Sequence, residues 1–104
     1  MKKAQKTLTF GETIRDKRES LNLSIREVAS NINIDPSLLG KIERNERSPT
    51  KLQIELLGDY LKVDKTFLII ASISDEIVYK IIEASNEIEI LKVAEYKVKF
   101  LTSK

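Results

Sequence analysis

Apolar residues recur along this chain at three- to four-residue intervals, the period of helices with one buried face. The pattern predicts helices at about 10–22, 25–32, 36–45, 51–62, 65–73, 75–84 and 87–101. Start signals fall where the periodic segments begin. Thr9 precedes Glu12 by three residues, Ser24 precedes Glu27, and Thr50 precedes Gln53. In each pair a hydroxyl can accept from a first-turn N–H while the acidic or amide group reaches back to the cap. Asp35-Pro36 is a fourth start, with Asp at the cap and Pro at the first helical position. Asp64, Ser74 and Ser85 or Asn86 are further candidate caps. Pro36 and Pro49, the two prolines, both lie between periodic segments, where a missing N–H does least harm. The one competing signal is Glu95–Phe100, which alternates polar and apolar as a terminal strand would.

Composition narrows the chemistry. The 104 residues contain no Cys, no His and no Trp, and only three Gly. That excludes disulfides, thiol and histidine catalysis, and nearly every zinc site. Gly11, Gly40 and Gly58 lie too far apart for a phosphate-cradling loop. We therefore expect no enzyme, no metal, no cofactor and no small-molecule ligand. A chain of this length suits one domain with a single modest core. The net charge of +2 is unevenly spread. Residues 1–51 hold eleven Lys or Arg against seven Asp or Glu, a net of +4, and residues 52–104 hold seven against nine, a net of −2. A basic first half suits an anionic partner. Met1-Lys2-Lys3 is followed by no apolar run, and Phe67–Ala71, the longest apolar stretch, is far short of a membrane span. The expected setting is cytoplasmic, at the nucleoid, with no membrane contact.

The segment from 24 to 45 carries the functional signal. Two short helices joined only by Asn33, Ile34 and Asp35 must turn sharply, as in a helix-turn-helix. Asn33 tolerates the positive φ such a turn needs, and Ala29 is small enough for a close crossing. At 100° per residue, Leu38, Leu39, Ile42 and Glu43 share one face of the second helix. Ser37, Gly40, Lys41 and Arg44 share the other, offering a hydroxyl, a gap and two cations to DNA. Gly40 costs helix propensity, which suits either an idle surface position or a close backbone approach to DNA. Arg18 lies on the apolar stripe Phe10-Ile14-Arg18-Leu21, and Glu43 lies one turn after Leu39. Two buried charges of opposite sign predict an ion pair, and removing one partner would cost about 3–5 kcal/mol.

Three stretches together resemble the lambda-repressor/Cro-like (Xre) helix-turn-helix family. They are Phe10-Gly11-Glu12-Thr13-Ile14-Arg15-Asp16-Lys17-Arg18, Ser24-Ile25-Arg26-Glu27-Val28-Ala29, and Ile34 to Asn45 with its core Pro36-Ser37-Leu38-Leu39-Gly40-Lys41-Ile42-Glu43-Arg44. The resemblance covers about residues 9–68. It implies an all-α fold: a five-helix lambda-repressor-like DNA-binding domain, here with two additional C-terminal helices. It also implies phosphate binding by Ser24 to Arg26, base reading by Ser37, Leu38 and Lys41, and backbone-phosphate contacts from Arg44 and Arg47. An Arg18–Glu43 bridge is typical of such domains. Three positions depart from the family. Ile25 replaces a phosphate-binding Gln, and Asn33 and Asn45 stand where Gly is usual.

The C-terminal half is more apolar than a minimal domain needs. Leu52, Ile54, Leu56, Leu57, Tyr60 and Leu61 cover half of one helix, and Phe67–Ala71 is apolar all round. Ile77, Val78, Ile81 and Ile82 form another stripe, followed by Ile88, Leu91, Ala94, Val98 and Leu101. The excess predicts a homodimer through Phe67, Ile70, Ile77, Ile81, Leu91 and Val98. The alternative is that the last helices fold back to complete one monomer's core. The expected organisation is a flexible basic arm at 1–8, a DNA-binding domain at 9–73 and a dimerising extension at 74–104. The expected function is sequence-specific regulation of transcription by a dimer on palindromic double-stranded DNA. Restriction–modification controllers, phage repressors and antitoxins are the candidate subclasses. A second reading is a protein-binding module, such as an antitoxin that grips a toxin through its C-terminal helices.

Overall fold

Most helix starts in this chain are set by side chains within three residues of the end, and most stops by a residue in the left-handed conformation. The computed structural model describes residues 8–103, and residues 1–7 of the expected basic arm lie outside them. Six helices are present among the described residues: α1 (Phe10–Ser20), α2 (Ile25–Asn31), α3 (Pro36–Glu43), α4 (Lys51–Leu61), α5 (Lys65–Ala84) and α6 (Glu87–Thr102). Among the described residues the fold is all-helical, without strands.

All three capping boxes form. The amide of Glu12 donates to Thr9 Oγ1 at 3.2 Å while Glu12 Oε1 accepts from the Thr9 amide at 3.1 Å. Ser24 with Glu27 and Thr50 with Gln53 repeat the exchange. Asp64 caps α5 by accepting from the Phe67 amide at 2.9 Å. Asp35 differs. It occupies the cap position of α3, with Pro36 next, but its carboxylate makes no cap bond and instead accepts from the Ser37 hydroxyl at 3.0 Å.

The stops share one device. Asn22, Asn33 and Asn45 follow α1, α2 and α3 in the left-handed conformation, with φ of 58°, 62° and 62°. In each case the next residue's amide bonds back to the carbonyl five residues earlier: Leu23 to Arg18, Ile34 to Ala29, Glu46 to Lys41. This ties off the last carbonyls of each helix. Lys62 ends α4 the same way at φ 61°, its following residue Val63 bonding to Gly58. Ser85 takes φ 68° between α5 and α6.

Two expectations are corrected. Helices expected at 65–73 and 75–84 are the single 20-residue helix α5. A serine caps only where the backbone leaves the helical conformation. Around Ser74 neither Gly nor Pro forces it to do so, and Ser costs little inside a helix. Glu95–Phe100, the candidate strand, lies inside α6.

The chain divides into two compact units, up to Ile73 and from Ser74 onward. The first unit closes around Phe10, Ile14, Val28, Ala29, Ile32, Leu39, Ile42, Ile54, Leu57, Leu61 and Leu68. Leu23, Ile25, Leu38 and Tyr60 pack against this core from its edge. In the second unit Ile81 is the one buried residue among those described, and α6 buries none. No described helix is long and apolar enough to cross a membrane.

Candidate nucleic-acid interface

The turn between α2 and α3 is set by Asn33, whose left-handed backbone lets α3 leave α2 sharply while Ala29, fully buried, admits the close crossing. On α3, Leu39, Ile42 and Glu43 face the interior, Leu38 is half-buried, and Ser37 and Lys41 are exposed. The inward face therefore holds the helix, and the outward face is free to meet a ligand.

Charge inside the fold anchors α3. Arg18 Nε donates to Glu43 Oε2 at 2.7 Å and Nη2 to Oε1 at 3.0 Å, a two-pronged pair. The third guanidinium nitrogen, Nη1, donates to the Leu23 carbonyl at 2.8 Å. Arg18 is 8% exposed and Glu43 4%. The bond to Glu43 raises the Arg18 pKa above its ordinary value, so the guanidinium stays charged. Matched charge and filled donors are what make such burial tolerable.

A second brace was not legible beforehand. Asn45 Oδ1 accepts from the Gly11 amide at 3.1 Å, and Asn45 Nδ2 donates to Thr9 Oγ1 at 2.9 Å. The residue that ends α3 thus also completes the start of α1. Gly11 makes this approach possible: a Cβ there would collide with the backbone carbonyl oxygens of Ile42 and Glu43. The signal available in the sequence was one of only three glycines, placed in the first turn of a helix, where Gly has no conformational use.

The expected DNA-contacting residues fall as follows. Ser24 caps α2 and is exposed, as is Arg26. Ser37 and Lys41 are exposed on α3, and Arg47 is exposed in the following loop. Among the described residues Arg26, Lys41 and Arg47 form no ion pair. Two residues differ from a simple outward face. Arg44 is engaged by Glu46, with Nε donating to Oε2 at 3.1 Å and Nη2 to Oε1 at 3.4 Å. The pair raises the Arg44 pKa and lowers that of Glu46, each mainly through the shared hydrogen bond. Gly40, expected on the open face, is buried, and a Cβ on it would meet Arg44 Nη1 at 3.2 Å. The Arg44 side chain lies back over Gly40, as helical side chains do over the preceding turn.

Of the residues expected at a dimer contact, Phe67 (54% exposed), Ile70, Ile77, Leu91 and Val98 are open to solvent. Ile81 is a correction: at 8% exposed it is already buried within the chain and has little surface to offer a second copy. One position in the Ile77–Val78–Ile81–Ile82 stripe turned inward, which the periodicity alone did not single out.

Comparisons with known proteins bear on this arrangement. The family model HTH_3, described as helix-turn-helix, matches residues 14–68. An uncharacterized protein of Haemophilus influenzae is 45% identical over 42 residues, which is 40% of this chain and 14% of that protein. The chain thus matches about one seventh of that relative's length. Among solved structures, a chain of the SinR protein/SinI protein complex superposes with a TM-score of 0.54 at 21% identity, over 92% of this chain and all of the other. That likeness concerns the fold.

Proposed function

The chain belongs to the helix-turn-helix family, a DNA-binding regulator family, and from that premise we propose that it is a sequence-specific transcriptional regulator acting as a dimer on a palindromic operator. The observation that carries this reading is the outward face of α3, with Ser37 and Lys41 exposed on a helix clamped from behind by Arg18–Glu43. A rigid helix with a polar, cationic face can lie in the major groove and hold each side chain at a fixed place against the base edges. Arg26 and Arg47 flank that face and supply backbone-phosphate contacts, which set register without reading sequence. One α3 spans only a few base pairs. A two-fold pair reads two half-sites about 34 Å apart, which is why dimerisation through the exposed apolar residues of α5 and α6 belongs to the same proposal.

The test is binding to DNA selected from a random pool, followed across salt concentration. Binding should weaken steeply with salt, and Lys41→Glu should abolish it while the helical signal stays unchanged. Unaltered affinity in that variant would remove α3 from the interface.

A second reading has its own support. The structurally similar chain comes from a complex of two different proteins, and the apolar faces of α5 and α6 here suit a protein partner equally well. Sedimentation of the full chain separates the readings: a two-fold increase in mass at micromolar concentration supports self-association, and a stable monomer supports a distinct partner.

A further inference from the structure

The Arg44–Glu46 pair and Gly40 have no role in the reading above, and their geometry says more. A guanidinium has two edges that can each make paired hydrogen bonds. Glu46 takes the edge formed by Nε and Nη2, at 3.1 and 3.4 Å. Nη1 is left on the far side, above Gly40, where a Cβ would approach it to 3.2 Å. Arg44 projects from the same face as Ser37 and Lys41, and Glu46 is held beside it because the left-handed turn at Asn45 folds the chain back, with the Glu46 amide bonded to the Lys41 carbonyl at 2.8 Å. The residue that lacks a side chain, the residue that crosses it and the carboxylate that grips it therefore form one unit.

We propose that Arg44 reads a guanine in the major groove through its remaining Nη1–Nη2 edge, with Glu46 as its positioning residue and Gly40 as the space it needs. This rests on the DNA-binding reading and replaces a phosphate role for Arg44. Guanine presents two acceptors, O6 and N7, spaced for an arginine fork. A long flexible arginine loses entropy on binding, and a carboxylate that already holds one edge reduces that loss. Glu46 also explains discrimination. Its charge lies near Lys41 as well as Arg44, so it repels phosphate and lowers affinity for DNA that lacks the right base. A lysine at position 44 would serve a phosphate as well as arginine does, but has no fork to offer a guanine.

The experiment is sequence selection from a random pool with the full chain, then binding to the selected site and to single-base variants of it. The wild-type site should contain a guanine whose replacement costs roughly tenfold to a hundredfold in affinity. Arg44→Lys should erase that preference while leaving the salt dependence and the preferences at other positions in place. Glu46→Ala should raise affinity for random DNA and weaken the guanine preference, and Glu46→Gln, which keeps an acceptor, should retain part of it. Gly40→Ala, which asks Nη1 to shift by only a few tenths of an ångström, should weaken the same preference less than Glu46→Ala does. Circular dichroism checks that each variant keeps its helices. An unchanged guanine preference in Arg44→Lys overturns the proposal, as does Glu46→Ala raising affinity for every sequence equally. If the wild-type chain binds no DNA even at low salt, the DNA-binding reading falls first and this one with it.

Discussion

Ile14, Leu39, Leu57, Leu61 and Leu68 have no solvent exposure, whereas Leu91 is 51% exposed and Phe100 66%. The apolar stripes look alike in the sequence, yet the first unit closes on itself and the second does not. Every large exposed hydrophobic residue but Leu21 and Leu52 lies at Phe67 or beyond. The difference is one of geometry. Helices α1 to α4 cross one another, so each apolar stripe finds a facing stripe and a common centre. The unit from Ser74 onward contains the end of α5 and α6. So few residues cannot enclose a core. Their half-exposed apolar stripes suit the protein partner proposed above.

The comparison can be broken most severely at the anchor of the first unit. Glu43→Ala leaves Arg18 buried beside a vacancy and should cost about 3–5 kcal/mol in urea unfolding. A loss below about 1 kcal/mol would mean that the pair is not what closes the unit. The open unit should answer differently. In the proposed dimer, Leu91→Ala should weaken self-association by about 1.5–3 kcal/mol, read by sedimentation, without comparable loss in the first unit's unfolding midpoint. Equal losses in both would show that Leu91 supports the monomer.

Smaller effects sharpen the account of the first unit. Gly11→Ala should destabilise it by roughly 1–3 kcal/mol, because the obstructing atoms are backbone carbonyls that cannot swing aside. Lys62→Gly should raise thermal stability by up to about 1 kcal/mol, since the left-handed conformation at φ 61° strains a residue with a Cβ. Asn33→Gly and Asn45→Gly differ in an informative way. Asn33 serves the turn through its backbone, so glycine replaces it at little cost. Asn45 also bridges Gly11 and Thr9, so glycine there loses two hydrogen bonds.

Local features were legible for a physical reason. A capping box, a left-handed asparagine and a 3.6-residue stripe each involve atoms fewer than six residues apart, so the spacing in the chain nearly equals the arrangement in space. Thr9–Glu12, Ser24–Glu27 and Thr50–Gln53 were readable for that reason. So was Asn33 at the turn. Ser74 misled because a cap motif is permissive: the same serine sits without strain inside α5. Arg18 and Glu43 are 25 residues apart, but both interrupt apolar stripes with opposite charges, and that conflict identified them as partners.

The sequence by itself determined seven segments' worth of helical preference, two of which the structure joins into α5, the sharp turn before α3, the polar outward face with Ser37 and Lys41, and the need to pair two inward charges. Tertiary structure alone decided what those elements meet. The Asn45 bridge spans 34 and 36 residues and depends on how closely α1 approaches the end of α3. The burial of Gly40 beneath Arg44, and of Ile81 but not Ile82, depends on which way a particular face is turned. Periodicity states that a helix has an inner side, and only packing chooses the residues that line it, because close contact is settled by distances of a few tenths of an ångström that no spacing rule contains.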